Sequence, residues 1–424
     1  MTRRAVSPNL AIDELVARRR AQGQSIAHFG FGESRLPVFP GLASRLAAGA
    51  RRNAYGPVAG DPAVRAAVAG YFTRRRLPTD PGQVVLAPGS KALLLALQMV
   101  TAGPVLLPRP CWVTYAPQAR LAGKPVHQVP IPAEHGGVPE PGLLRSAADQ
   151  YGGHGLLVLT IPDNPTGTTA SPEVVRQLCA IAEEKDLLIV SDEIYRDLPH
   201  DPSAEFLSPA EVAPERTVVL TGLSKSMALG GWRIGAARFP AGPLGRSLRD
   251  DVVSVASEVW SALAGPMQEV AEYAFSEPAE LRARVAADAR LHGAVAGEVH
   301  RILVEAGAHN RRPTGGFYCY PDLEALRSPL EAQGITDSAQ LQRFLMEEHG
   351  VAVLSGHHFG DDPRALRFRV ATSMVYGETE ELQSEALRSA DPVKLPHIRT
   401  QLDMLAAALS ALAPTLSHPA QPAT

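Results

Sequence analysis

The sequence contains little that would suggest a disulfide-stabilised, membrane-spanning or polyanion-binding protein. Only three of its 424 residues are cysteines, and their odd number and wide spacing favour neither a disulfide framework nor a paired-cysteine metal site. No apolar stretch is long enough to cross a bilayer, and the N-terminal residues lack the continuous apolar core of a secretory signal. The net charge of -3 creates no strong field toward nucleic acid or a membrane surface. We therefore expect a cytoplasmic protein that binds neither.

The length of the chain and its ordinary composition, 45% hydrophobic and 20% charged, indicate a globular protein of two domains. The apolar runs typical of strands cover residues 84–87, 104–107, 155–161, 187–190, 217–221 and 234–239. Segments with helical periodicity cover residues 61–76, 89–100, 171–185 and 265–275. Continuous apolar strands that alternate with helices predict an α/β fold, in which a mainly parallel sheet is covered on both faces.

The pattern of predicted secondary structure changes in the last third of the sequence, where long helical segments precede short strands. We expect a large domain at residues 55–285 and a smaller α+β domain at residues 286–415. The N-terminal segment, residues 1–54, is expected to pack with the smaller domain, because chain termini often lie close together. Residues 416–424 are rich in small and polar residues and are expected to form a disordered tail.

The segment TGLSKSMALGGWRIG, residues 221–235, follows a predicted strand and carries two candidates for chemistry. A buried lysine at a strand end loses its proton readily and attacks aldehydes, which makes Lys225 a candidate nucleophile. Arg233 has the planar guanidinium that grips a phosphate through two hydrogen bonds. A surface Ser-Lys pair is the alternative, and the GGWRIG that follows argues against it.

Asp192 and Tyr195 lie in the segment LLIVSDEIY, directly after another predicted strand. Ligands of parallel sheets bind at the carboxyl ends of the strands, so a carboxylate at this position is well placed for binding. A carboxylate paired with a pyridine nitrogen keeps that nitrogen protonated, and Tyr195 would approach the same ring from its phenolic side. The alternative is that Asp192 simply caps a helix.

Three further segments near predicted strand ends add polar or flat groups. TIPDNPTGT would present the amide of Asn164, unless it is a plain Asn-Pro turn. In LAPGSKA, the backbone N–H groups after Gly89 begin a helix and form an anion site, with simple capping by Ser90 as the alternative. In RPCWVTY, the ring of Trp112 could stack on an aromatic cofactor. The alternative is that Trp112 belongs to the hydrophobic core.

The order and spacing of these segments resemble the fold-type I pyridoxal-phosphate enzymes, specifically the class I/II aminotransferases, over roughly residues 27–380. The resemblance implies a large domain with a mainly parallel mixed sheet, a smaller α+β domain and pyridoxal 5'-phosphate as cofactor. It also implies ping-pong transfer of an amino group from an L-amino acid to a 2-oxo acid by a homodimer with shared active sites.

The resemblance assigns roles to single residues of this sequence. Lys225 is similar to the Schiff-base lysine that also moves the proton, and Asp192 to the partner of the pyridinium nitrogen. Tyr195 and Asn164 resemble the hydrogen-bond donors to the phenolic oxygen of the ring. Trp112 resembles the residue that stacks on the ring, and together with Asn164 it would also face the substrate. The group expected to hold the phosphate consists of Gly89, Ser90, Lys91, Ser224 and Arg233.

Softer matches concern the substrate and the partner subunit. In NAYGPVAGDPAVRAAVA, Tyr55 resembles the tyrosine that reaches the phosphate of the neighbouring subunit. LRFRVATS resembles the strand that supplies the arginine for the substrate α-carboxylate, and alignment on ATS favours Arg367 over Arg369. Gly32 matches a segment that closes over the substrate.

Three departures from the family pattern leave the substrate open. Ser34-Arg35 replaces the usual Pro-Asp after Gly32-Glu33, Ser355 stands where a proline is common, and Glu258 stands where a small or amide residue is usual. Glu33 and Glu258 favour a substrate with a cationic side chain, such as a guanidinium.

Other enzymes of the same fold remain open as alternatives, because a β-eliminase, a cyclase or an amino-acid oxidase would use the same lysine and aspartate. A non-catalytic ligand-binding module, as in some transcription regulators, is disfavoured because no DNA-binding extension precedes residue 27. A dinucleotide-binding oxidoreductase is disfavoured because Arg35 occupies the third glycine position of FGFGESR. The sequence contains neither a GxSxG serine elbow nor an HExxH zinc helix.

Overall fold

The computed structural model describes residues 7–132 and 136–412, so the predicted tail at 416–424 lies outside the described residues. The described strands are β1 Ala27–His28, β2 Val84–Ala87, β3 Val105–Arg109, β4 Val126–Pro130, β5 Gly155–Thr160, β6 Leu187–Asp192, β7 Thr217–Gly222, β8 Gly235–Arg238, β9 Tyr318–Cys319, β10 Val351–Ala352, β11 Leu354–Ser355 and β12 Phe368–Ala371. The described α-helices are α1 Pro8–Ala21, α2 Pro40–Gly49, α3 Pro62–Thr73, α4 Ser90–Val100, α5 Tyr115–Leu121, α6 Pro141–Asp149, α7 Pro172–Glu184, α8 Pro209–Val212, α9 Leu223–Ser226, α10 Pro243–Val259, α11 Gly265–Ser276, α12 Ala279–Glu305, α13 Arg327–Ala332, α14 Ser338–His349, α15 Glu380–Arg388 and α16 Pro396–Leu412. Half of these helices begin at a proline, the position where its missing N–H costs nothing.

Seven strands form one mixed sheet in the order β2-β8-β7-β6-β5-β3-β4. All neighbouring pairs from β7 to β4 are parallel, whereas β8 runs antiparallel to both β7 and β2. On β5, Leu156 and Val158 join one hydrophobic cluster while Leu157 and Leu159 join another. Helices therefore cover both faces of the sheet, which confirms the predicted α/β fold and explains why its central strands are continuously apolar.

The directions of the strands bring several strand ends together at one edge of the sheet. Because β2, β3, β5, β6 and β7 run the same way, their carboxyl ends meet at one edge of the sheet. Since β8 alone runs the opposite way, its amino end arrives at this same edge. Segments that precede β8 and segments that follow the other strands can thus meet in space.

A second part of the molecule is built around two small sheets, the parallel pair β1-β10 and the antiparallel order β11-β12-β9. Its core combines Ala27, Phe29 and Leu36 from the N-terminal part with apolar side chains of α12, α14 and α16. This shared core supports our proposal that the N-terminal segment packs with the smaller domain. The proposed boundary at residue 285 falls inside α12, which continues from one part into the other.

The described residues contain neither a membrane-spanning helix nor a metal cluster nor a disulfide. Within 7–132 and 136–412, no helix has both the length and the apolar character needed to cross a bilayer. In the same residues, no cluster of histidine, cysteine and acidic side chains has the arrangement of a metal site. The three cysteines are buried and free.

Candidate active site

A cavity of about 420 Å³ opens at the sheet edge where the strand ends meet. The predicted site residues that line it are Gly32, Ser90, Lys91, Trp112, Asn164, Asp192, Tyr195, Ser224, Lys225 and Arg233. A larger cavity of about 840 Å³ elsewhere includes neither Lys225 nor Asp192 in its lining. The fold therefore brings the separately predicted segments into one site.

Lys225 lies on the short helix α9, directly after β7, and its half-buried side chain faces the cavity. Its Nζ donates a hydrogen bond to the backbone oxygen of Gly32 at 2.5 Å. Burial, opposed by Glu33 and assisted by the cations Arg369 and Arg233, lowers the pKa of this amine to about 8. A substantial fraction of the amine is consequently neutral near physiological pH, which is the form that attacks a carbonyl carbon.

Asp192 ends β6 and is buried, with only 3% of its surface exposed. Burial raises the pKa of its carboxyl to about 6, and hydrogen bonds to the carboxylate moderate this rise. The Tyr115 hydroxyl donates to Oδ2 at 2.9 Å, and the Ile194 backbone N–H donates to Oδ1 at 3.4 Å. Tyr115 in turn meets the Thr160 hydroxyl at 2.6 Å.

Tyr115 is a site residue that the sequence reasoning missed. It lies three residues after Trp112 in the same RPCWVTY segment, at the first position of α5. A polar aromatic residue so close to a predicted strand end was a signal that could have indicated it. Its role is to hold the carboxylate of Asp192 in its charged form.

An anion cradle forms where the amino end of β8 meets the start of α4. Gly89 precedes α4 with φ at +88°, and a Cβ on this residue would lie 2.3 Å from Nη2 of Arg233. A Cβ on Gly235 would lie 2.2 Å from the backbone nitrogen of Ser90. Glycine at both positions lets the guanidinium and the first backbone N–H groups of α4 approach each other. Together with the nearby Ser224, they suit a phosphate group.

The remaining wall of the cavity carries groups suited to a flat, oxygen-bearing ring. Nδ2 of Asn164 donates to the Tyr195 hydroxyl at 3.5 Å, and that hydroxyl meets the Tyr318 hydroxyl at 2.7 Å. Trp112 is half-buried with its ring in the lining, and Nζ of Lys91 lies 5.2 Å from the ring centroid. An amine, a buried carboxylate, an anion cradle and these ring-facing groups fit the parts of pyridoxal phosphate.

Arg367 and Arg369 have different surroundings in the structure. Arg367 donates to Asp322 at 2.8 Å and to Asp361 at 3.2 Å, and it lines a separate cavity of about 140 Å³. Arg369 is fully buried and donates to the side-chain oxygen of Asn164 at 3.1 Å. Two carboxylates already neutralise Arg367, so a substrate carboxylate would compete with them. Arg369 therefore contacts a predicted site residue, Asn164, although its own guanidinium does not line the cavity.

Tyr55 and Glu258 do not meet the cavity within one chain. Tyr55 is 92% exposed, and Glu258 is exposed near the end of α10 with a hydrogen bond from its neighbour Ser257. Glu33 does line the cavity, but its carboxylate accepts a hydrogen bond from Nε of Arg35 at 2.9 Å. Since an arginine already offsets its charge, the hypothesis of a cationic substrate loses its main support.

Comparisons with known proteins agree with this geometry. The family profile described as "Aminotransferase class I and II" matches residues 30–382. The aspartate/prephenate aminotransferase of Thermus thermophilus is 32% identical over 83% of this chain and 89% of its own. The aspartate aminotransferase of Bacillus subtilis is 29% identical over 87% of this chain and 92% of its own.

A solved structure of the Thermus thermophilus aspartate aminotransferase with maleate superposes with a TM-score of 0.81. It is 27% identical and covers 95% of this chain and 97% of its own. These matches extend over both parts of the molecule, including the small sheets as well as the large one. The chain belongs to the class I and II aminotransferases, which use pyridoxal phosphate as cofactor.

Proposed function

We propose that this aminotransferase works through Lys225, Asp192 and Arg369, and that it moves an amino group from an L-amino acid to a 2-oxo acid by a ping-pong mechanism. The observation that carries the proposal is the amine of Lys225, whose pKa is lowered by burial to about 8 in the same cavity as a buried carboxylate and an anion cradle. An amine with this pKa serves both as a nucleophile and as a base.

We propose that the cofactor is held by the groups described above. Bound pyridoxal phosphate supplies an aldehyde that links to amines and a cationic ring that accepts electron density. The anion cradle of Ser90, Arg233 and Ser224 would hold the phosphate, with the backbone of Lys91 beside it. The Asp192 carboxylate would keep the ring nitrogen protonated. The phenolic oxygen would receive hydrogen bonds from Asn164 and Tyr195, and Trp112 would stack on the ring.

Lys225 and Arg369 have different roles toward the substrate, namely proton transfer and carboxylate binding. Nζ of Lys225 would take the proton from Cα of the amino acid and pass it to the cofactor carbon that receives the amino group. In the second half-reaction, the same amine would move a proton from that carbon to Cα of the incoming 2-oxo acid. The guanidinium of Arg369 binds the α-carboxylate and so fixes which bond at Cα is broken. A bidentate arginine-carboxylate pair provides this orientation because its two hydrogen bonds fix the plane of the carboxylate.

The half-reaction with an amino donor alone tests the proposed reaction type. The names of the relatives make aspartate the first donor to test, against arginine, phenylalanine and leucine. With an excess of donor and no 2-oxo acid, we expect each active site to release one equivalent of oxo acid. The cofactor should convert completely to pyridoxamine phosphate, and its absorbance spectrum measures this conversion. Adding a 2-oxo acid should restore the starting spectrum. Ammonia release with continuous turnover would indicate an eliminase instead, and peroxide formation would indicate an oxidase.

We further propose that the protein is a cytoplasmic homodimer in which Tyr55 completes the phosphate site of the partner. Tyr55 is almost fully exposed, and exposed apolar residues such as Met99 and Val259 line a depression beside Lys91 and Arg233. A second copy would cover these side chains. In sedimentation equilibrium we expect a dimer, and Tyr55→Phe should weaken cofactor binding about tenfold, as expected for a lost hydrogen bond to a charged group. Full activity of a strict monomer would contradict this assembly.

A further inference from the structure

The guanidinium of Arg369 is buried and forms no ion pair with any described carboxylate. It is fully buried on β12, with the rings of Tyr318 and Phe359 each 4.9 Å away. Among residues 7–132 and 136–412, no carboxylate forms an ion pair with it, and its Nε has no hydrogen-bond partner. A buried cation with an unsatisfied N–H is unfavourable, so this group is arranged to receive an anion.

Asn9 contacts one terminal nitrogen of this guanidinium. Its side-chain oxygen accepts a hydrogen bond from Nη2 of Arg369 at 2.8 Å, and the Gly30 backbone oxygen accepts from the same nitrogen at 2.9 Å. Ser7, Asn9 and Leu10 line the active-site cavity, whereas Arg369 does not. The first turn of α1 therefore separates the cavity from the arginine that would bind the substrate.

The first turn of α1 is weakly held compared with the rest of that helix. Ile12 and Val16 anchor α1 in a hydrophobic cluster with residues of the smaller sheets. Asp13 adds an ion pair with Arg35 at 2.9 Å. Before these residues, the N-cap Ser7 makes no side-chain capping bond, and the first turn contains no acidic residue. Asn9 can thus leave Arg369 when one turn unwinds, without disturbing the anchored part.

We propose that Asn9 closes the carboxylate site of Arg369 in the ligand-free protein and that the α-carboxylate of the substrate displaces it. This inference rests on the proposed role of Arg369. The incoming carboxylate would accept from Nη2, in place of the Asn9 amide oxygen, and from the unsatisfied Nε. Two charge-assisted hydrogen bonds replace one bond to a neutral amide, so the exchange is favourable. Asn9 acts as a gate that raises the apparent dissociation constant of every substrate.

Two substitutions at Asn9 act in opposite directions on this gate. Asn9→Ala removes the competing oxygen, so succinate and 3-phenylpropanoate, two carboxylates without an amino group, should bind the holoenzyme about tenfold more tightly. Asn9→Asp places a carboxylate on Arg369 and should weaken both probes by about tenfold or more. The KM values of amino donors should follow the same order while kcat changes little. Glu14→Ala, an exposed position on the same helix, is the matched control and should not change these constants.

Hydrogen-deuterium exchange distinguishes a displaced gate from a closing contact. If the carboxylate displaces Asn9, the first turn of α1 should exchange faster when succinate is bound. Slower exchange in that turn, together with weaker binding by Asn9→Ala, would overturn the proposal and make Asn9 a contact of the closed complex. Unchanged binding by Asn9→Ala and Asn9→Asp would overturn it as well.

Arg369→Ala separates this inference from the function on which it rests. If this variant binds succinate as tightly as the unaltered protein, the proposed carboxylate grip itself fails. If Arg369→Ala loses affinity for succinate while the Asn9 variants do not differ from the unaltered protein, only the gate fails.

Discussion

Replacing Lys225 with alanine is expected to lower kcat by at least about 10⁴-fold, because the amine is both covalent anchor and base and base catalysis alone contributes about 10²–10⁴-fold. The amine lies on α9 at the end of β7, and burial lowers its pKa to about 8. After borohydride reduction and digestion, the unaltered protein should carry the cofactor on the peptide that contains Lys225. The alanine variant should carry no covalent cofactor.

Lys91→Ala is the matched control, because it removes the other lysine amine of the same cavity. We expect this variant to keep the cofactor attached at Lys225 after reduction, with a loss limited to cofactor affinity. In the cofactor-free protein, attachment should become faster as the pH rises through about 8, because deprotonation produces the nucleophilic amine. Normal turnover by Lys225→Ala, or reduction that labels Lys91 instead, would refute the assignment.

Asp192→Asn is expected to lower kcat by about 10³-fold, the effect of losing one preorganised electrostatic group. The neutral amide keeps the size of the side chain but cannot stabilise a positive charge on a ring nitrogen. Steady-state kinetics should show the loss in kcat, while the anion cradle keeps cofactor affinity within about tenfold. If Asp192→Asn retains most of the activity, this carboxylate does not pair with the ring.

The pH dependence of cofactor binding gives a second measure of Asp192. Burial raises the pKa of its carboxyl to about 6, and the hydrogen bond from Tyr115 moderates the rise. The charged form exists above this pKa, so the affinity of the cofactor-free protein for the cofactor should fall as the pH drops through about 6. Tyr115→Phe removes the moderating bond and should move this fall to higher pH, whereas Asp192→Asn should abolish it.

The sequence predicted the centre of the fold well because the central strands are buried on both faces. β5, β6 and β7 each contain a continuous apolar run, and the predicted ranges agree with the observed strands within a few residues. β4 was missed because Val126–Pro130 forms an edge strand that keeps the polar His127 and Gln128. Its composition shows no continuous apolar run, so periodicity alone could not indicate it.

The candidate site was predictable wherever one segment carried both a strand end and a reactive side chain. Lys225, Asp192 and Asn164 are of this kind, and the structure brings all three to one cavity. The choice between Arg367 and Arg369 depended instead on distant partners. Asp322 and Asp361, which neutralise Arg367, come from other loops that only the folded chain brings together.

The contact of Asn9 with Arg369 joins residues 360 positions apart in the chain. In the sequence alone, Asn9 is one polar residue near the start of a helix, and no local pattern distinguishes it. Tyr318 belongs to the same category, since its contact with Tyr195 spans 123 positions. Polar contacts between residues so far apart in the chain cannot be predicted from periodicity or motif spacing.

The antiparallel direction of β8 has a consequence for how such an enzyme diversifies. One hairpin connection, from the end of β7 to the start of β8, contains Ser224, Lys225 and Arg233 together. The arginine proposed to bind the α-carboxylate lies on β12, in a separate sheet. The lysine with part of the anion cradle and the proposed carboxylate-binding arginine are thus encoded in two stretches of sequence that share no strand. Related enzymes can therefore change how they hold the substrate without altering the residues of this connection that bind the cofactor.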